Sequence, residues 1–137
     1  FEKLAQNLYI CASTLAQHAA LACFDDEVQA ISRQRREEFR KRRDFIVPRL
    51  RSIGLPVPVP PDGAFYIWTD CSAYSSDSEI FARDLLEQAF VSVVPGTDFG
   101  HNETQRHVRI SITTTLEGIE EAIERIHAHL QGRQTIA

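Results

Sequence analysis

The side chain in this sequence whose type and setting most invite chemistry is Arg109, within His107-Val108-Arg109-Ile110-Ser111-Ile112. Polar and apolar residues alternate there with the period of a half-buried strand. On that pattern alone Arg109 faces water while Val108, Ile110 and Ile112 face the core. A second reading stays open beside it. Arginine carries a flat, permanently charged fork that matches a carboxylate with two parallel hydrogen bonds. Two glycine-punctuated segments, Pro-Pro-Asp-Gly-Ala-Phe around Gly63 and Val-Pro-Gly-Thr-Asp-Phe-Gly around Gly96, can bring backbone close to the same ligand. Together with Arg109 they can line one small pocket; read plainly, both glycines are turn residues.

Other constellations are weaker. His127 and His129 are two residues apart on a predicted helix, so they do not face one another and read as a solvent-facing pair, not a metal site. Asp98-Phe99-Gly100 spells a kinase magnesium motif, but neither an H-R-D loop nor a glycine-rich phosphate loop accompanies it. Ser13, Ser111 and Cys71 lack a histidine and acid in any defensible triad. The three cysteines, Cys11, Cys23 and Cys71, form no C-x-x-C pair and read as buried free thiols, which fits a reducing cytosol. The residues by themselves yield no catalytic set and no metal site.

The elements that must position Arg109 are legible. Helix starts are expected where a hydroxyl or carboxylate precedes Glu or Gln by three residues: Thr14 with Gln17, Asp26 with Gln29, Ser76 with Glu79, and Thr114 with Glu117. The first helix, through Leu-Ala-Gln-His-Ala-Ala-Leu-Ala-Cys-Phe, is apolar on nearly every side and is expected to be buried against other protein. The second carries Val28, Ile31, Phe39, Ile46, Leu50 and Ile53 on one stripe, with Pro48 expected to kink it and Gly54 to end it. A proline-rich connector, Leu55 to Pro61, leads to a strand from Ala64 to Trp68 that is apolar on both faces, as interior strands are. A third helix carries Ile80, Phe81, Leu85, Leu86 and Ala89. A short strand stopped by Pro95-Gly96 and a polar loop precede the Arg109 strand, and the last helix places Ile119, Ala122, Ile123, Ile126 and Leu130 on one stripe. Helices covering one side of a small sheet make an α+β two-layer domain.

Composition excludes several function classes. The chain has 137 residues, enough for one domain with a real core, and 19 acidic against 15 basic residues give a net charge of −4. That balance argues against a general nucleic-acid binder. The stretch Arg33 to Arg43 holds seven basic residues, but Glu37, Glu38 and Asp44 are interleaved at helical spacings and make it a solvated, paired face. No apolar run approaches the roughly 20 residues of a membrane helix, and the start lacks a signal-peptide pattern. Opening on Phe1, the chain is expected to be a processed product or a piece of something longer.

The order of Pro-Pro-Asp-Gly-Ala-Phe-Tyr-Ile-Trp-Thr-Asp, Val-Ser-Val-Val-Pro-Gly-Thr-Asp-Phe-Gly and His-Val-Arg-Ile-Ser, followed by an amphipathic helix, resembles the C-terminal part of class I/II aminotransferases, the aspartate-aminotransferase-like, fold type I group of pyridoxal-phosphate enzymes. The opening Gln6 to Phe24 is similar to that family's segment leading into a helix with Gln-x-Ala-Ala-Leu, so the likeness runs over roughly residues 3–131. It implies an interdomain or interface segment over 1–24, a small domain over 25–131 with a small, mostly antiparallel sheet covered by helices, and a frayed tail over 132–137. It also implies that Arg109 grips the α-carboxylate of an amino-acid or 2-oxo-acid substrate, with Gly63 and Gly96 shaping that side of the cleft. The cofactor would be pyridoxal 5′-phosphate. In the family the Schiff-base lysine, the acid on the pyridine nitrogen and the phosphate-holding groups belong to a large domain upstream. Lys3 and Lys41 match none of these, so the chain offers no cofactor-binding residue and is expected not to transaminate alone. The family further implies a cytoplasmic homodimer whose small domain moves over the cofactor and excludes water.

Three alternatives remain. The same fold and arginine serve pyridoxal-phosphate lyases and decarboxylases. A transcription regulator with an aminotransferase-like effector module would keep binding without turnover. Finally, the segment could act alone as an assembly module.

Overall fold

The computed structural model describes residues 1–132; most of the expected tail 132–137 lies outside the described residues. The chain divides into two compact units, Phe1–Glu37 and Glu38–Ala137. The first holds α1 (Glu2–Leu8), α2 (Thr14–Ala22) and the start of α3 (Asp26–Ser52). Helix α2 is capped by Ser13, not Thr14: its Oγ accepts from the Ala16 amide at 3.3 Å, while Gln17 donates to the Ala12 carbonyl. No residue of α1 or α2 is buried, and Leu15, Leu21 and Phe24 are each more than two-thirds exposed. The apolar helix expected to be buried is therefore uncovered among the described residues. Cys11 and Cys23 are likewise exposed, which corrects the expectation of buried thiols; only Cys71 is buried.

The second unit builds on the C-terminal half of α3, which buries Ile46, Val47 and Leu50. Pro48 lies within this helix, and Gly54 ends the element with φ +83°. The Leu55 amide donates back to the Leu50 carbonyl and the Gly54 amide to that of Arg51, the paired bonds of a Schellman ending. Leu50 and Leu55 are both fully buried, and Tyr74 donates its hydroxyl to the Ile53 carbonyl at 2.9 Å. Along the basic stretch of α3, Lys41 pairs with Glu38 and Arg43 with Asp44, the neutralised face its interleaved acids imply.

Beyond the connector come β1 (Tyr66–Asp70), α4 (Ser78–Asp84), β2 (Val94–Pro95), β3 (His107–Ser111) and α5 (Leu116–Gln131). The strands form a three-stranded antiparallel sheet in the order β1-β3-β2, so the fold is α+β. β3 is the central strand. β1 sits at the edge, not in the interior; its second face, Tyr66 and Trp68, lies against Arg109, Phe99 and His107 instead of a second core. The inward faces, Ile67 and Thr69 on β1 with Val108 and Ile110 on β3, share the core with Phe81, Leu85, Ile119, Ile123, Ile126 and Leu130 from the helices. Each such large apolar side chain contributes about 1.5–3 kcal/mol on burial.

Caps again fall one residue from expectation. Asp77 caps α4, accepting from the Glu79 and Ile80 amides, and Thr115 caps α5, accepting from Gly118. Two candidate caps are adjacent in each place, and the one with extended backbone just outside the helix takes the role. Helix α4 continues into a π-helical turn, Leu85–Ala89, that rotates Leu86 outward; Ile80 and Leu86 are more than half exposed, and the inward stripe is Phe81, Ala82, Leu85 and Ala89. Phe90 closes this turn in left-handed backbone, φ 56°, while its ring is 77% exposed. That conformation costs a non-glycine residue about 1–2 kcal/mol, and the exposed ring returns little. Phe90→Gly is therefore expected to raise stability by about 0.5–1 kcal/mol, measured as a higher urea midpoint at unchanged slope. A lower midpoint would show that the ring packs in solution.

Candidate functional site

The outward face of the sheet is set by strand parity. Tyr66, Trp68 and Asp70 alternate on β1; His107, Arg109 and Ser111 alternate on β3 opposite them. The register pairs Trp68 with Arg109, Tyr66 with Ser111, and Asp70 with His107, while Val94 of β2 pairs with Arg109 from the other side. Arg109 thus projects from the middle of the central strand.

Its guanidinium is half-buried, not stretched into bulk solvent. The Cζ atom lies 4.1 Å from the centroid of the Tyr66 ring, a diagonal cross-strand neighbour, and 4.4 Å from that of Phe99. Its Nε is sealed from solvent with no hydrogen-bond partner. Among the described residues no carboxylate pairs with Arg109. The plain reading of Arg109 as a water-facing strand residue does not describe this packing. Arg109 is thus a half-buried cation with two aromatic rings against it and no carboxylate partner among the described residues.

Phe99 is brought in by a 3-10 turn, Gly96–Phe99, directly after β2. Gly96 is what allows the turn to seat: a Cβ there would press on the Thr104 carbonyl, lie 2.6 Å from the His107 carbonyl, and come within 3.0 Å of Trp68 Cη2. Trp68 meets Phe99 edge-on at 5.8 Å and stacks on His107 at 5.3 Å, so the turn, β1 and β3 brace one another. Thr104 closes the loop by donating to the Gly100 carbonyl at 2.7 Å. Gly63 differs: it lies three residues before Tyr66, exposed, and a Cβ there would meet nothing within 4 Å. The structure brings Gly96 to the Arg109 neighbourhood and records no contact between Gly63 and it.

One end of this face is electrostatically fixed. Burial pushes the Asp70 carboxyl up, but donors from Ser72 and the Arg106 charge at 3.3 Å outweigh that and hold it below the usual carboxylate range. Asp70 is thereby committed to Arg106 and Ser72. Next to it, burial pushes the Cys71 thiol up to about 12, leaving it protonated and unreactive near neutral pH.

Sequence reasoning missed Tyr66, Trp68, Phe99 and His107. Parity alone places Tyr66 and Trp68 on one face; for Phe99, within Asp-Phe-Gly, nothing local ties a turn residue to a strand ten positions away. His129 is also corrected: it is not solvent-facing but contacts Asp84 Oδ2 at 2.7 Å, joining α5 to α4, while His127 contacts Gln131. Among the described residues no cluster of three metal-ligating side chains occurs, and no helix is long and apolar enough to cross a membrane.

Comparison with known proteins agrees with this architecture. The family model for aminotransferase class I and II matches residues 1–126. The valine–pyruvate aminotransferase of Mycobacterium tuberculosis is 36% identical over 127 residues, covering 93% of this chain and 33% of that protein. The (5-formylfuran-3-yl)methyl phosphate transaminase of Methanocaldococcus jannaschii is 35% identical over 128 residues, again covering 33% of its length. A solved aminotransferase from Mycobacterium tuberculosis superposes with a TM-score of 0.88 at 35% identity, over 96% of this chain and 34% of that one. The chain thus spans about a third of the length of these relatives. With its α+β fold and a match over nearly its whole length, the chain belongs to the class I and II aminotransferase family.

Proposed function

We propose that this chain is the small-domain portion of a pyridoxal-phosphate aminotransferase and that Arg109 holds the α-carboxylate of the amino-acid or 2-oxo-acid substrate. The observation that carries this reading is the half-buried Arg109 guanidinium with aromatic neighbours and no carboxylate partner among the described residues. A substrate carboxylate supplies the absent charge through two parallel hydrogen bonds. The Gly96 turn sets one wall beside it, and Gly63 lies on the approach to β1, where an open backbone can meet a ligand or the rest of the enzyme.

The residues of this chain do not fit the cofactor itself. Of its two lysines, Lys41 is held by Glu38 on the surface of α3 and Lys3 is exposed on α1. Pyridoxal 5′-phosphate needs a lysine anchor, an acid for its ring nitrogen and phosphate donors. In this reading those belong to the roughly two-thirds of the longer relatives that the chain does not match, and this chain alone does not turn over. The names of the relatives described above favour amino-group transfer over elimination, decarboxylation or a purely regulatory module. The exposed apolar side chains of α2 fit burial against the rest of such an enzyme or its second copy, and the exposed free thiols Cys11 and Cys23 fit a reducing cytoplasm.

The test is a titration of the chain with pyruvate, followed by NMR at the Arg109 Nε–H and the Trp68 indole. A saturable shift at both signals is expected, and it should vanish in Arg109→Leu. Incubation with pyridoxal 5′-phosphate, alanine and a 2-oxo acid should give no turnover. Equal pyruvate binding by Arg109→Leu, or sustained transamination by this chain, would overturn the reading.

A further inference from the structure

We propose that Tyr66 and Phe99 are positioning residues for Arg109, their ring faces fixing the guanidinium plane so that Nη1 and Nη2 form the carboxylate fork. This rests on reading Arg109 as the carboxylate site.

The argument begins with what does not orient the arginine. No acceptor among the described residues hydrogen-bonds its guanidinium, so no carbonyl or carboxylate sets its plane. A long, flexible side chain left that way would sample several rotamers and lose entropy on meeting a ligand. Instead two rings lie against it, at 4.1 and 4.4 Å from Cζ. Ring faces are electron-rich and attract the cation without using any N–H donor. A carboxylate neighbour would stabilise the charge more strongly but would occupy the fork. Aromatic contacts therefore solve two demands together: they accommodate a desolvated cation and leave its donors free.

The burial of Nε gives the direction. It is sealed from solvent and unpartnered, and a donor closed off in this way cannot serve an incoming ligand. Nη1 and Nη2 make no hydrogen bond or ion pair among the described residues, so in this proposal a carboxylate is met end-on by these two. The clamp is itself braced: Phe99 meets the Trp68 edge, Trp68 stacks on His107, and Gly96 seats the turn against both carbonyls beneath it. Tyr66 is fixed by its place on β1, one strand over and diagonal to Arg109.

The experiment uses this chain and pyruvate as the probe. Tyr66→Leu and Phe99→Leu should each weaken pyruvate binding by roughly three- to thirtyfold, although neither side chain need touch the carboxylate. Tyr66→Phe keeps the ring and should bind within twofold of the parent. The Arg109 Nε–H resonance should be displaced by ring currents and slow to exchange in the parent and in Tyr66→Phe, and should move toward the free-arginine position in both leucine variants. A well-dispersed spectrum in each variant confirms folding, and Tyr66→Phe provides a ring-retaining comparison. Leucine variants that bind pyruvate as tightly as the parent would overturn the clamp while leaving the carboxylate reading intact. Pyruvate binding indifferent to Arg109→Leu would instead remove the carboxylate reading, and the clamp proposal with it.

Discussion

In a complete enzyme carrying this segment, Arg109→Ala is expected to lower kcat/KM for amino acids by roughly 30-fold to several thousandfold. That range corresponds to the ~2–5 kcal/mol lost when one member of a desolvated, hydrogen-bonded charge pair is truncated. The site explains why the loss should be large. Among the described residues Arg109 is the one cation against both Tyr66 and Phe99, and the nearby Arg106 is engaged by Asp70. On the proposed reading part of the loss should fall on KM, because Arg109 would grip the carboxylate in ground and transition states alike. The remainder should fall on kcat, because a substrate held at one end less firmly is presented less accurately. Arg109→Lys should recover only part of the deficit, as it keeps the charge but loses both the fork and the flat surface that lies on the rings. Steady-state kinetics with an amino-acid donor decide the matter; an alanine variant within threefold of the parent would mean that Arg109 does not grip substrate.

The second large effect concerns stability. Gly96→Ala is expected to destabilise the fold by about 3 kcal/mol, at the upper end of the usual cost of overpacking, with a Tm fall of roughly 10–20 °C. The methyl group would meet two backbone carbonyls, those of Thr104 and His107, before it met the Trp68 ring. Carbonyls tied into a turn and a central strand cannot swing aside as the end of a flexible side chain can. The same collision would push the turn outward and carry Phe99 away from Arg109, so pyruvate binding should fall along with the urea midpoint. Gly63→Ala is the matched control, since its Cβ would enter open space; it should stay within about 0.5 kcal/mol of the parent. An unchanged midpoint for Gly96→Ala would show that the loop yields more easily than its packing indicates.

These glycines also mark the limit of what the sequence discloses. Both stand in turn-like company and could not be ranked from letters, because what separates them is the distance to atoms eight or more residues away. Local signals fared better. The Gly54 ending of α3, the apolar stripes of α3 and α5, and the alternation in β3 all follow from periodicity, and the structure places Leu50, Ile119, Ile123, Ile126 and Leu130 in the core. The caps slipped by one residue because Ser13-Thr14, Ser76-Asp77 and Thr114-Thr115 each offer two oxygens, and only backbone geometry chooses between them. β1 is ambiguous because apolar residues on both faces have two causes, a second layer of core or a local cluster on the outer face, and Tyr66 and Trp68 belong to the second. Arg109 stood out by its residue type, while its aromatic company depended on strand register and a turn that no window of sequence spans.

The central placement of β3 has one last consequence. A strand clasped on both sides surrenders its amide protons to solvent only when the surrounding sheet comes apart, whereas edge strands and loops fray at far lower cost. The backbone that bears Arg109 is therefore as durable as the fold itself, while the rings beside it, Tyr66 on an edge strand and Phe99 in a turn, stand on the parts that open first.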